Sequence, residues 1–154
     1  MHVRSERVIK APPNLVFAQV KALDRMPERS PEPQRFEWTD GSPGETGTSF
    51  RGWNRALGLR WWTNGWITVS DEPSLFRFET STIYGDRQEH TNRWTYTFEQ
   101  HPEGTRVTET LETIRLPFHL KFIGPLLSLR ARQIEAGMDR TLEHLAKECE
   151  IRSD

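Results

Sequence analysis

The residue with the most chemical potential is Glu109, which falls between Val107 and Leu111 in the alternating run 106–113. Residues two apart on a strand share a face, so the carboxylate is placed on the side that Val107 and Leu111 turn inward. A lone buried carboxylate is costly, so Glu109 must either find a donor or hold its proton to higher pH than usual. Such a group is a polar anchor or an acid/base residue in an apolar hollow. The structural alternative is a twist that sends it to water, or a pair with Arg51 or Arg93. Tyr96 is the second candidate. It alternates with Trp94 and Phe98, so its phenol stands in an apolar wall, where it orients a ligand carbonyl or merely satisfies its own hydroxyl. As a catalytic pair, Glu109 would be the base that removes an acidic proton and Tyr96 the donor that holds an enolate oxygen.

Other chemistry is sparse. His90, His101, His119 and His144 show no metal-ligand spacing, and there is no Gly-rich phosphate loop and no nucleophile elbow. No metal and no cofactor are expected. Cys149 is the only cysteine, which rules out an intramolecular disulfide and reads as a small buried thiol. The formal charge of −1 gives no global electrostatic case for nucleic acid or an anionic membrane. Arg130 and Arg132 read as a solvated helix face, with an anionic head group as the alternative. No apolar run approaches membrane-spanning length and no apolar leader opens the chain, so a cytoplasmic protein without an integral membrane segment is expected.

These side chains must be positioned by a simple order of elements. The 154 residues suit one domain with one core. A strand over His2–Ile9 leads to a helix opened by Pro12 and Pro13, with Leu15, Val16, Val20 and Leu23 at helical spacing. A short second helix over 24–30 ends at Pro31 and Pro33. Six strands follow, over 34–39, 46–54, 59–70, Leu75–Thr82, 93–100 and 106–113, separated by turn clusters such as Asp40-Gly41-Ser42-Pro43-Gly44 and Ala56-Leu57-Gly58. Residues 84–92 are a polar loop. A long helix from about Pro125 closes the chain, with Ile123, Leu127, Ala131, Ile134, Met138, Leu142, Leu145 and Cys149 in one stripe and Gly137 in its middle. The fold class is therefore α+β: a curved antiparallel sheet of about seven strands wrapped on a long C-terminal helix, with two short helices after strand one.

Alternation assigns the inward faces. Trp94, Tyr96 and Phe98 point inward, as do Val107 and Leu111, and Phe76, Phe78, Thr80 and Thr82. In the fourth strand Trp61, Thr63, Gly65, Ile67 and Val69 form the favoured inward set, which leaves Trp62 and Trp66 outside as a dimer face or a sticky patch. In the third, Thr48, Phe50, Gly52 and Asn54 face in unless a bulge reverses them. With Phe118, Phe122, Ile134 and Met138 from the helical end, Phe50, Asn54, Trp61, Thr63, Ile67, Phe76, Phe78, Trp94, Tyr96, Val107 and Glu109 are the expected ligand-binding residues.

Several stretches carry a family resemblance: Met26-Pro27-Glu28-Arg29-Ser30-Pro31-Glu32, Glu37-Trp38, Phe50-Arg51-Gly52-Trp53-Asn54-Arg55, Val69-Ser70-Asp71-Glu72-Pro73, Arg93-Trp94-Thr95-Tyr96 and Gly104-Thr105-Arg106-Val107-Thr108-Glu109. With the order of elements, they make the whole chain resemble the START-like helix-grip (SRPBCC) superfamily, and within it the bacterial polyketide cyclase/dehydrase-like members. The resemblance implies a helix-grip fold and carries no universal catalytic motif. Two functions stay open. One is binding of a small hydrophobic or aromatic ligand, lipid- or polyketide-like, between sheet and C-terminal helix, with loop 84–92, turn 56–58 and segment 118–124 as gates. The other is a polyketide cyclase/dehydratase-type enzyme using the cavity carboxylate as base.

Overall fold

A computed structural model describes residues 1–82, 91–116 and 124–153. In chain order the elements are β1 (His2–Ile9), α1 (Pro13–Lys21), a single 3-10 turn (Leu23–Arg25), α2 (Met26–Arg29), β2 (Pro33–Asp40), β3 (Ser49–Ala56), β4 (Leu59–Asp71), β5 (Leu75–Thr82), β6 (Thr91–His101), β7 (Gly104–Arg115) and α3 (Gly124–Ser153). The strands form one sheet in the order β1-β7-β6-β5-β4-β3-β2. Every neighbouring pair is antiparallel. Strands β2 to β7 are thus a meander, and β1 returns to pair with β7. This is the helix-grip α+β architecture that the element order implies.

Local sequence explains most boundaries. Pro13 occupies the first turn of α1, where its missing N–H leaves nothing unpaired. The β3–β4 hairpin turns on Leu57 and Gly58, both at positive φ (53° and 75°), the twist that two-residue hairpins favour. Gly65 is glycine for a packing reason: a Cβ there would stand 2.2 Å from Cζ of Phe50, whose ring lies across it.

Three expectations shift. The third strand starts at Ser49 rather than 46, after a turn region with Gly44 and Gly47 at positive φ. Thr91 and Asn92 open β6 instead of belonging to the polar loop. Val69 is not on the inner face. Ile67 pairs with Phe78 and Val69 with Arg77, so a bulge at Thr68 consumes one residue and turns Val69 outward with Arg77. In β3 the inward set Phe50, Gly52 and Asn54 holds, since these residues face Gly65, Thr63 and Trp61 of β4. The expected helical segment 118–124 (apart from Gly124), Ile123 in the long stripe, most of loop 84–92, His90 and His119 lie outside the described residues. Trp62 and Trp66 are on the outer face and half-buried; the Arg51 guanidinium covers the Trp62 ring at 4.4 Å.

The core is uneven along α3. At its C-terminal end Leu142, Leu145, Ala146 and Cys149 are buried in the main apolar cluster together with Val16, Phe17 and Val20 of α1. Phe17 packs edge-on against Phe76, with ring centres 6.0 Å apart, and against Phe98 at 5.2 Å. Toward the N-terminal end only Ile134 and Met138 are buried, in a small separate cluster with Val3 and Leu111. The buried Arg29 clamps α2 to α3: its Nε and Nη2 donate to Oε2 of Glu148 (3.1 and 2.9 Å) and its Nη1 to the Gln19 carbonyl (2.7 Å). One half of α3 is therefore packed down while the other stands off the sheet.

Candidate functional site

The inner face of the sheet is layered. Across β6 and β7, Phe98 faces Val107 under Phe17 of α1. The next row is Phe76, Tyr96, Glu109 and Ser5, on β5, β6, β7 and β1. Above it run Ile67, Phe78, Trp94, Leu111 and Val3, and above that Gly65, Thr80, Asn92 and Thr113. Helix α1 fills the end with the first row. Beyond it, between the upper rows and the N-terminal half of α3, lies a cavity of about 580 Å³. That size is ordinary for a small-molecule site.

Of the expected ligand-binding residues, Phe50, Asn54, Trp61, Thr63, Phe78, Trp94, Glu109, Ile134 and Met138 border this cavity. Ile67, Phe76, Tyr96 and Val107 face inward but belong to the buried core behind it. The rows that hold Phe76 and Val107 are closed by Phe17 and its neighbours, and Tyr96 stands behind Glu109. Phe118 and Phe122 lie outside the described residues. Period-two reasoning assigns a face but not a depth, so it cannot separate floor from wall. It also passes over Met26, Glu32 and Phe36, which close one side, and over Asn92, Thr113 and Arg130. The inward Thr80 and the alternation through Thr113 carried part of that signal.

Glu109 is fully buried and faces the cavity. Its Oε1 accepts the Tyr96 hydroxyl at 2.7 Å. Its Oε2 is buried with no hydrogen-bond partner among the described residues. Burial pushes the Glu109 pKa up to about 8; the Tyr96 hydrogen bond opposes that rise, and the Asp139 carboxylate adds to it. The carboxyl thus holds its proton well above the ordinary carboxylate range, with its second oxygen buried and unpaired among the described residues. Burial, then the charge of Glu109, pushes the Tyr96 phenol up as well, so it stays a donor. The structural alternatives for Glu109 are absent: Arg51 donates to Asn64 (3.2 Å) and Arg93 pairs with Glu79 (3.5 Å), both on the outer face.

Two polar features border the rest of the cavity. At the upper row Trp94 Nε1 donates to Thr80 Oγ1 (3.3 Å) and Thr113 Oγ1 to Asn92 Oδ1 (2.9 Å). On the helix side the guanidinium of Arg130 holds both oxygens of Glu32, Nη2 to Oε2 at 2.8 Å, and lies 5.7 Å from the Trp61 ring. That pairing neutralises Arg130. Among the described residues no group of three or more His, Cys, Asp or Glu could hold a metal, and no helix is long and apolar enough to cross a membrane.

A curved antiparallel sheet gripping a terminal helix, with a buried acid facing the space between them, defines a helix-grip protein. More narrowly, the chain belongs to the polyketide cyclase / dehydrase and lipid transport family, whose sequence profile matches residues 1–150. Among solved structures it is similar to TTHA0849 from Thermus thermophilus, at 24% identity and TM-score 0.80 over all of both chains. CV1439 from Chromobacterium violaceum matches at 15% identity and TM-score 0.69 over 97% of each chain. The di-domain ARO/CYC StfQ of the steffimycin biosynthetic pathway matches at 16% identity and TM-score 0.75, over 98% of this chain and 51% of that one. Identities this low establish the fold. No curated protein sequence matches the chain.

Proposed function

We propose that the protein binds a small hydrophobic or aromatic molecule, lipid- or polyketide-like, in the cavity between the sheet and α3. The observation that carries this reading is a hollow of about 580 Å³ bordered largely by apolar side chains, Phe50, Phe78, Trp94, Ile134 and Met138 among them. Apolar walls supply affinity by desolvation, and polar side chains on the border, Asn54 among them, set orientation. The test is a fluorescence titration with the neutral dye N-phenyl-1-naphthylamine. Saturable one-to-one binding is expected, and Ile134→Trp, which fills the hollow, should weaken it at least tenfold while the protein stays folded. Equal binding by both proteins contradicts the site.

A second reading, a cyclase/dehydratase-type enzyme, draws on the Glu109 pKa of about 8, which suits a proton-transfer group near neutral pH. Against it stands Tyr96, whose hydroxyl is committed to Glu109 and does not reach the cavity. That removes the donor proposed to hold the enolate oxygen beside the base. Turnover of a β-polyketone that disappears in Glu109→Gln while binding persists would establish the second reading.

A further inference from the structure

We propose that the end of the molecule formed by the β3–β4 hairpin tip and the opening turns of α3 docks on an anionic lipid bilayer, with leucines entering the acyl boundary and arginines meeting the headgroups. This surface lies outside the cavity, so the inference goes beyond the ligand-binding reading and does not depend on what the hollow holds.

Exposed apolar side chains gather at this end. Among the described residues the large ones are Leu57, Leu59, Ile114, Leu126, Leu129 and Ile151. Ile151 is near the C-terminal end of α3. The others stand past the row of Gly65, Thr80, Asn92 and Thr113: Leu57 and Leu59 at the hairpin tip, Ile114 at the end of β7, and Leu126 and Leu129 in the opening turns of α3. The Arg130 guanidinium, 5.7 Å from the Trp61 ring, brings hairpin and helix together. Leu57 is 79% exposed at φ 53°, a conformation that Asn or Gly adopts at lower cost. A leucine there serves neither the core nor the turn.

The charge at this end is one-sided. The chain carries a formal charge of −1, yet residues 46–70 contain Arg51, Arg55 and Arg60 with no Asp or Glu, and residues 124–134 contain Arg130 and Arg132 with none either. Arg55 and Arg60 face each other across β3 and β4, and both are exposed. Like charges so placed destabilise a sheet. Neither they nor Arg132 have an acidic partner among the described residues. The fold gains nothing from the Arg55–Arg60 pair, whereas an anionic surface neutralises it. The first turn of α3 also has no acidic residue, which leaves the positive end of its dipole to an outside anion. Arg55 precedes Leu57 by two residues and Arg60 follows Leu59 directly. Leucine at the tip and arginine just behind it match the layers of a bilayer surface, apolar below and anionic above. A soluble polyanion would engage the arginines and leave the leucines in water.

The experiment is co-sedimentation with vesicles of phosphatidylcholine alone or with about 30% phosphatidylglycerol, at low salt. The mixed vesicles should bind about tenfold more tightly, and about 0.5 M NaCl should remove most of that advantage. Leu57→Asn combined with Leu59→Thr suits the turn and the strand, so it should weaken binding to the mixed vesicles about tenfold without lowering Tm. Arg55→Gln and Arg60→Gln should each cost about fivefold. Ile151→Ser, at the other end of α3, should change nothing. No binding to the mixed vesicles, equal binding to both kinds, or unchanged affinity in the leucine variant overturns the proposal. A dimer in solution that the leucine variant abolishes, with vesicle binding intact, assigns the surface to a second copy and overturns it as well. The dye titration without vesicles reads the cavity separately, so either reading can fail alone.

Discussion

Glu109 holds its proton more tightly in the native chain than in the unfolded one, so pH must act on stability through it. Its native pKa is about 8 against an ordinary 4.5. Below pH 4.5 both states are protonated and the group's stabilising contribution is complete. Between pH 4.5 and 8 the unfolded chain has released the proton and the native one has not. The contribution therefore falls as pH rises, by up to about 1.4 kcal/mol per unit, and is lost above pH 8. Glu109→Gln removes this fall. Urea denaturation at pH 5 and pH 9 should show the variant gaining a few kcal/mol on the parent across that interval; parallel curves would contradict the burial of an acid here. Cys149 is the quieter case: burial pushes its thiol to about 11, so it is an inert packing residue rather than a nucleophile.

At the scale of elements, the clamp between α2 and α3 and the glycine in α3 each give a measurable consequence. Arg29→Ala removes the nearer of two cations from the partly exposed Glu148, leaving Arg25 at 3.6 Å, and opens space among packed side chains, so a loss of about 1–3 kcal/mol is expected in chemical denaturation. Gly137 behaves in the opposite sense. A Cβ there meets Pro31 at 3.7 Å, ordinary contact, so Gly137→Ala should raise stability by about 0.5–1 kcal/mol while slightly narrowing the cavity. The elements were largely legible in the sequence. Strands β5 to β7 announce themselves through Phe76/Phe78, Trp94/Tyr96/Phe98 and Val107/Leu111, because each buries one face and alternation is then strict. Val69 was not legible, since a bulge at Thr68 leaves no mark in composition. The charge pairs were not legible either. Arg29 finds Glu148, and Arg130 finds Glu32, across long sequence separations, and charges on helix surfaces usually signify only solvent. Glu109 stood out because an acid between two core positions breaks the local pattern, whereas the depth of Tyr96 behind it required the position of α1.

At the scale of the whole molecule, the cavity follows from how unevenly one helix packs. α1, Leu142, Leu145 and Cys149 seal one end of the sheet, while α3 stands off the other with only Ile134 and Met138 reaching Leu111 and Val3. The described side chains thus leave a space between the sheet and the N-terminal half of α3 unfilled. Apolar cavities of this kind admit xenon, and the most direct measurement is a crystal structure under xenon pressure. Xenon is expected between Trp94, Leu111, Ile134 and Met138. Side chains from the sheet and α3 meeting across that space, with no xenon between them, would contradict the account.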